Sequence, residues 1–220
     1  MRYTTSMNQE IKRRVTACAA GFSLPRYREL PSVGLYLDQT VQFVNGCFRG
    51  FPGVELTPSM VSNYVKKGVI GHPVKKKYTR EQLASLIYIV LSKNVLSLEN
   101  IDTLFQMQRT HCTAAEAYDY FCAEVENCLP YIFGASRTIC DLAADAADEK
   151  LLLRSTIIAA VNKMYLDCCF VAMHQEEALW PDTLSDLKKK RGRRLRPPVA
   201  GAGFCWREVG FGKINGISRL

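Results

Sequence analysis

Apolar residues recur along this chain mostly at helical spacing, and the segment from Leu56 to Ile70 sets the pattern most clearly. Met60, Val61, Tyr64 and Val65 fall on one side of a period of about 3.6 residues, while Ser59, Ser62, Asn63 and Lys66 recur at i, i+3, i+4 and i+7 on the other. Thr57 is placed to cap this helix. Pro58 suits its first position, where a missing N–H costs nothing, and Gly68 suits the left-handed residue that closes a helix. The spacing predicts a helix of about three turns with one packed side and one free polar side.

The next stretch, His72-Pro73-Val74-Lys75-Lys76-Lys77-Tyr78, puts three lysines on a tight connection, a short basic wing, before Thr79 and Gln82 open a new helix as a capping box. Leu83, Leu86, Ile87, Val90 and Leu91 give that helix an apolar stripe. From Ser97 onward the pattern predicts helices throughout. Leu98, Ile101, Leu104 and Phe105 mark one; Ala117, Tyr118, Phe121 and Val125 mark a second, opened by Thr113 with Glu116 and ended by Pro130; a third covers Ser136 to Ala147. In a long fourth, Leu151, Leu152, Ile157, Ile158, Val161, Met164, Tyr165, Cys168 and Phe170 are apolar around more than one face. Such a helix belongs at the centre of a bundle or at the seam of a dimer, and the pattern leaves both open. The predicted fold class is all-α.

Composition narrows this picture. A chain of 220 residues that is 48% hydrophobic can bury a core of its own. Arg154, Lys163 and Asp167 interrupt the most apolar stretch, Leu151 to Met173, so no membrane span is predicted. Lys12-Arg13-Arg14 followed by Val15 to Leu24 resembles a short export signal, but the basic residues directly precede the box Val15-Thr16-Ala17-Cys18, where the apolar region should lie. Nine cysteines, an odd number scattered along the chain, suit a reducing cytoplasm better than a disulfide framework.

Charge is distributed in blocks. Residues 1–55 carry a net +3, 56–94 a net +6, 95–187 a net −10 and 188–220 a net +9. A basic head on an acidic body would orient the molecule on a polyanion, with binding that weakens as salt rises. The free side of the helix after Thr57 has groups suited to base edges and phosphates: an amide able to pair with adenine, two short hydroxyls and a cation. An ordinary solvated helix face is the plain alternative. The basic wing favours nucleic acid.

These residues resemble a known pattern. Tyr64 through Gly68-Val69-Ile70, the Lys75 to Leu83 segment and Val95-Leu96-Ser97-Leu98-Glu99-Asn100-Ile101 look like elements of MerR-type winged helix-turn-helix regulators. Glu29-Leu30-Pro31-Ser32-Val33-Gly34-Leu35-Tyr36-Leu37-Asp38-Gln39-Thr40-Val41 narrows the resemblance to the bacterial domain of unknown function 1836, over roughly residues 24–130. The resemblance implies a helix-turn-helix, with Tyr64 matching a phosphate-contacting tyrosine; a half-buried core tyrosine is the alternative. Ser62 and Asn63 stand where MerR-type helices usually have arginine and tyrosine, so no base preference carries over. The connection Gly50-Phe51-Pro52-Gly53-Val54-Glu55 is longer than a compact helix-turn-helix needs, and the wing is shorter than usual. MerR-type proteins dimerise through a C-terminal helix, which would match a palindromic site.

Other chemistry finds less support. His111-Cys112, Cys122, Cys128 and Cys168-Cys169 lack the paired C-x-x-C spacing of a metal or thiol sensor, and buried cysteines are common in cores. Asp141, Asp145, Asp148 and Glu149 lie near one helical face and suit either magnesium or plain solvation. No catalytic triad or phosphate-cradling glycine loop is recognisable, and His72 beside the wing suits a solvent or phosphate contact. The tail from Lys188 to Pro198, followed by a Gly-rich stretch with Phe204, Trp206 and Phe211, is predicted to be disordered when free.

The sequence thus predicts a 1–24 extension, a 25–96 winged helix-turn-helix, a 97–187 helical domain forming a bundle or dimer, and a 188–220 basic tail. Double-stranded DNA would be read through Ser59, Ser62, Asn63 and Lys66, with Tyr64, Lys67, Lys75, Lys76, Lys77 and Arg80 on the backbone. The expectation is a cytoplasmic, non-enzymatic transcriptional regulator without metal or cofactor. The rival is a protein-interaction module that keeps the helix-turn-helix only as a scaffold.

Overall fold

Side-chain caps fix where most of the helices begin. In the computed structural model, which describes residues 8–142 and 148–179, Asn8 Oδ1 accepts from Glu10 N at 2.9 Å and opens α1 (Gln9–Cys18). Gln39 Oε1 accepts from Tyr36 N at 3.0 Å at the start of α2 (Leu37–Cys47). Thr57 Oγ1 accepts from Met60 N at 3.2 Å and opens α3 (Pro58–Lys66). Thr79 and Gln82 exchange bonds of 3.4 and 2.8 Å ahead of α4 (Arg80–Ser92). Ser97 opens α5 (Leu98–His111), and Thr113 with Glu116 opens α6 (Ala114–Ile132). Each oxygen satisfies an N–H that the helix itself leaves unpaired. The last helix, α7, runs from Asp148 to Leu179. Among the described residues there is no strand, only antiparallel bridges at Leu35–Tyr78 and Val74–Lys77, so the protein is all-α as predicted.

One hydrophobic core extends from Ile11 to Ala172. At its centre α4 buries nine of its thirteen residues, including Tyr88, Ile89 and Ser92, which lie off the predicted stripe. The reason is that α2, α6 and α7 all pack against α4, so apolar side chains gain burial on more than one side. α6 lies along α7, and α1 packs on α7 as well. α1 therefore contributes to the core: Ile11, Val15 and Ala19 recur every fourth residue and are buried, and the Thr16 hydroxyl donates to Phe133 O at 2.8 Å. The acidic side of α6 fastens the chain leading to α2. Arg26 pairs with Glu126 at 2.5 Å, Leu24 N donates to Glu126 Oε1 at 2.9 Å, and Tyr27 N donates to Asp119 Oδ1 at 2.7 Å.

Two boundaries differ from the sequence pattern. Pro130 lies inside α6, which continues to Ile132; the turn closes through Phe133 N on Leu129 O at 3.0 Å and a left-handed Gly134. Pro130 O then accepts from Ala135 N and Ser136 N. The third predicted helix is not helical over residues 136–142, and residues 143–147 of it lie outside the described residues. Side chains meet the backbone groups there instead. Asn127 brackets Cys140 with bonds of 2.8 and 2.9 Å, Arg154 donates to Cys140 O at 3.2 Å, and Ser136 Oγ bonds Thr138. Such bonds offer the backbone an alternative to the helix ladder.

The stretch Lys150–His174 of α7 is, against the sequence expectation, long and apolar enough by length and composition to cross a membrane, with a mean hydropathy of 1.4. Ile157, Ala160, Val161, Met164, Cys168 and Ala172 of this stretch are buried in the fold, as in a core helix. The predicted basic tail at 188–220 lies outside the described residues.

Candidate nucleic-acid interface

α3 is held by its inner side and by its entry. Val61 is fully buried and Tyr64 is 4% exposed. On the way in, Asn45 of α2 grips the backbone of Leu56 from both sides: Nδ2 donates to Leu56 O at 3.0 Å and Oδ1 accepts from Leu56 N at 2.7 Å. From α4 and the turn after it, Lys93 Nζ donates to Glu55 O and sits 3.8 Å from Met60 Sδ, and Asn94 Nδ2 donates to Gly53 O at 3.0 Å. Burial holds the Lys93 ammonium below its usual pKa. The long connection from Gly50 to Glu55 is thus a clamped path, which is why α3 tolerates it. Asn45, Lys93 and Asn94 were missed by sequence reasoning, because nothing local tells a surface amide or lysine from one that reaches across to a distant backbone.

The outer side of α3 is open. Ser59, Ser62, Asn63, Lys66 and Lys67 are exposed. The Ser62 hydroxyl donates to Pro58 O at 2.9 Å. Beyond α3, Gly68 takes a left-handed φ of +76°, and Tyr64 O accepts from Val69 N and Ile70 N, so the chain turns sharply away.

Residues 74–77, the predicted wing, form a tight hairpin. Val74 and Lys77 exchange backbone bonds of 3.0 and 2.9 Å, leaving Lys75 and Lys76 as a two-residue turn with φ of +49° and +65°. Positive φ at both positions is the mark of a type I′ turn, which favours Asn-Gly because a Cβ is crowded there. Here two lysines hold that geometry at the exposed tip. The hairpin base is fixed by Leu35 and Tyr78, whose N–H groups donate to each other's carbonyls at 3.0 and 2.7 Å. Gly34 makes the approach feasible, since a Cβ there would lie 2.9 Å from Lys77 Cβ. Gln82 locks the other side by donating to Gly71 O at 2.6 Å.

The ten predicted contact residues therefore separate. Ser59, Ser62, Asn63, Lys66, Lys67, Lys75 and Lys76 stand exposed, and among the described residues none of these four lysines pairs with a carboxylate. Lys77 lies back over the Tyr36 ring, its Nζ 5.1 Å from the centroid. Arg80 is turned inward: its Nε donates to Leu30 O at 3.0 Å and its guanidinium sits over Tyr27. Tyr64 is a correction to the expected surface contact. Its ring is part of the core, and burial raises its phenol pKa.

Among the described residues the other candidate chemistry does not assemble. Among the described residues no three His, Cys, Asp or Glu side chains are grouped to hold a metal. Burial pushes the Cys122 and Cys128 thiols up to about 11 and Cys168 up to about 12, which suits inert core residues rather than thiolates. Asp141 pairs with Arg154, and Asp145 lies outside the described residues.

Residues 25–121 match the model of the family described as Domain of unknown function (DUF1836). The match runs from the segment fastened by Glu126 through α2, α3, the hairpin, α4 and α5 into α6, so it contains every candidate contact residue. No curated protein and no solved structure matches the chain.

Proposed function

We propose that this protein is a sequence-specific, non-enzymatic DNA-binding regulator of transcription, with α2 and α3 as a MerR-like helix-turn-helix and the Val74–Lys77 hairpin as its wing. One observation carries the reading: the outward side of α3 and the hairpin tip after it present a short-chain polar surface and four cations, Lys66, Lys67, Lys75 and Lys76, without carboxylate partners among the described residues. The 15 acidic residues of 95–187 would have ended the reading had their described members covered that side. Asn63 and Ser59 would meet base edges, and the lysines would hold phosphates. Positive φ at Lys75 and Lys76 costs about 1–2 kcal/mol per residue, and such strain is more often kept at functional positions than elsewhere.

Leu152, Ala159, Leu166 and Met173 recur every seventh residue along α7 and are all exposed, with Phe170 beside them. A seven-residue apolar repeat is the pattern of a helix seam, and it supports a homodimer that would place two α3 helices on a two-fold site. The same surface supports the rival reading, a module that binds another protein.

The test is selection of genomic fragments at near-physiological salt by a chain ending before Lys188, so that the ten cations of the tail cannot capture DNA unspecifically. A shared, two-fold-symmetric sequence among the retained fragments is the expected result. Recovery of nothing above background sinks the DNA reading in favour of the interaction module.

A further inference from the structure

α4, α5, α6 and the start of α7 enclose a cavity of about 610 Å³ that the proposed DNA contacts do not use. Its size lies in the range of small-molecule sites, roughly 300–1,000 Å³. The floor is aromatic and apolar, built from the buried Tyr88, Phe105, Tyr118 and Phe121 with Leu104 and Leu153 beside them. These rings pack edge to face or tilted, Tyr88 against both Phe105 and Phe121 at 5.4 Å, so the floor is rigid.

The mouth is charged. Arg109 and Lys150 are exposed there and pair with no carboxylate among the described residues; Lys150 lies over the Tyr120 ring at 5.2 Å. The carboxylates nearby have hydrogen-bond donors of their own, which keep them ionised without cancelling their charge. Glu116 accepts from Thr113 N and Oγ1 at 2.9 and 2.8 Å, and Glu124, under Tyr120, accepts from its hydroxyl at 3.0 Å. Glu81 is exposed in the first turn of α4, where the helix dipole favours a negative charge.

We infer that this cavity binds an amphipathic organic anion: a flat or aromatic apolar body on the floor of α4, α5 and α6, with its negative group held at the mouth by Arg109 and Lys150. An apolar body alone would fill the floor but leave both cations without a partner.

The test uses the full chain and two fluorescent probes of nearly the same body, anionic 1-anilinonaphthalene-8-sulfonate and neutral N-phenyl-1-naphthylamine. The anion is expected to bind saturably at one site per chain and at least about tenfold more tightly than the neutral probe. Arg109→Gln with Lys150→Gln should weaken the anion about tenfold and leave the neutral probe unchanged. Arg109 and Lys150 are exposed, and among the described residues neither pairs with a carboxylate, so the double variant should fold, which circular dichroism checks. Ala117→Leu, or Ser85→Leu if the first does not fold, should displace both probes by filling the floor. Unchanged binding in a folded filled variant, equal affinity for the two probes, or no saturable binding each overturns the inference.

Discussion

α3 and α4 flank the same hairpin and both begin at a threonine cap, but α4 buries nine of thirteen residues while α3 buries two of nine. The two helices thus answer to different demands. α2, α6 and α7 all pack against α4, so a polar substitution at any of its nine buried positions strands a group in the core. α3 needs only Val61, Tyr64 and its clamped entry, and its outer Ser59, Ser62, Asn63 and Lys66 contribute almost nothing to folding. Residues that the fold does not require are where recognition chemistry is free to reside.

The two helices should differ most visibly in stability. Leu86→Ala, at a fully buried position of α4, should lower the unfolding free energy by about 2–5 kcal/mol in chemical denaturation. Ser59→Ala should shift it by less than about 0.5 kcal/mol. A large loss in the second variant would mean that the outer side of α3 is packed in solution.

Asn45→Ala should come next, at about 1–3 kcal/mol, because it leaves the N–H and C=O of a buried Leu56 without their partners. Substitution by Asp should restore the bond from Leu56 N but not the one to Leu56 O, and recover part of the loss. If Asn45→Ala melts like the unaltered chain, α3 is positioned by packing alone.

The hairpin between the two helices sharpens the contrast in the opposite direction. Lys75→Asn with Lys76→Gly suits a type I′ turn and should raise stability by about 1–2 kcal/mol. The same change should weaken DNA binding and reduce the slope of log affinity on log salt by about two, one for each phosphate that is no longer neutralised. Gain of stability with undiminished binding would remove the hairpin tip from the interface.

The caps at Thr57, Thr79 and Thr113 and the two sides of α3 could be read from the sequence because each depends on residues within one or two turns of helix. The burial of α4 on more than one side was only partly legible. Ile89 and Ser92 fall off the apolar stripe, and only the arrangement of α2, α6 and α7 determines what they meet. Residues 136–142 have helical spacing, but Asn127 and Arg154, distant in sequence, bond their backbone instead. At the candidate site the lysines were visible as a run. Their left-handed turn was not, since lysine has no preference for positive φ, and nothing near Arg80 indicated that it would turn toward Leu30 O.

The most direct measurement compares Asn63→Ala with Lys76→Ala on the selected DNA sequence and on unrelated DNA, across a salt series. If α3 reads bases and the hairpin holds phosphates, Asn63→Ala should cost about 1–3 kcal/mol on the selected sequence alone and keep the salt slope. Lys76→Ala should weaken both DNAs alike and lower the slope by about one. Indistinguishable behaviour of the two variants would contradict the assignment of α3 as the reading helix.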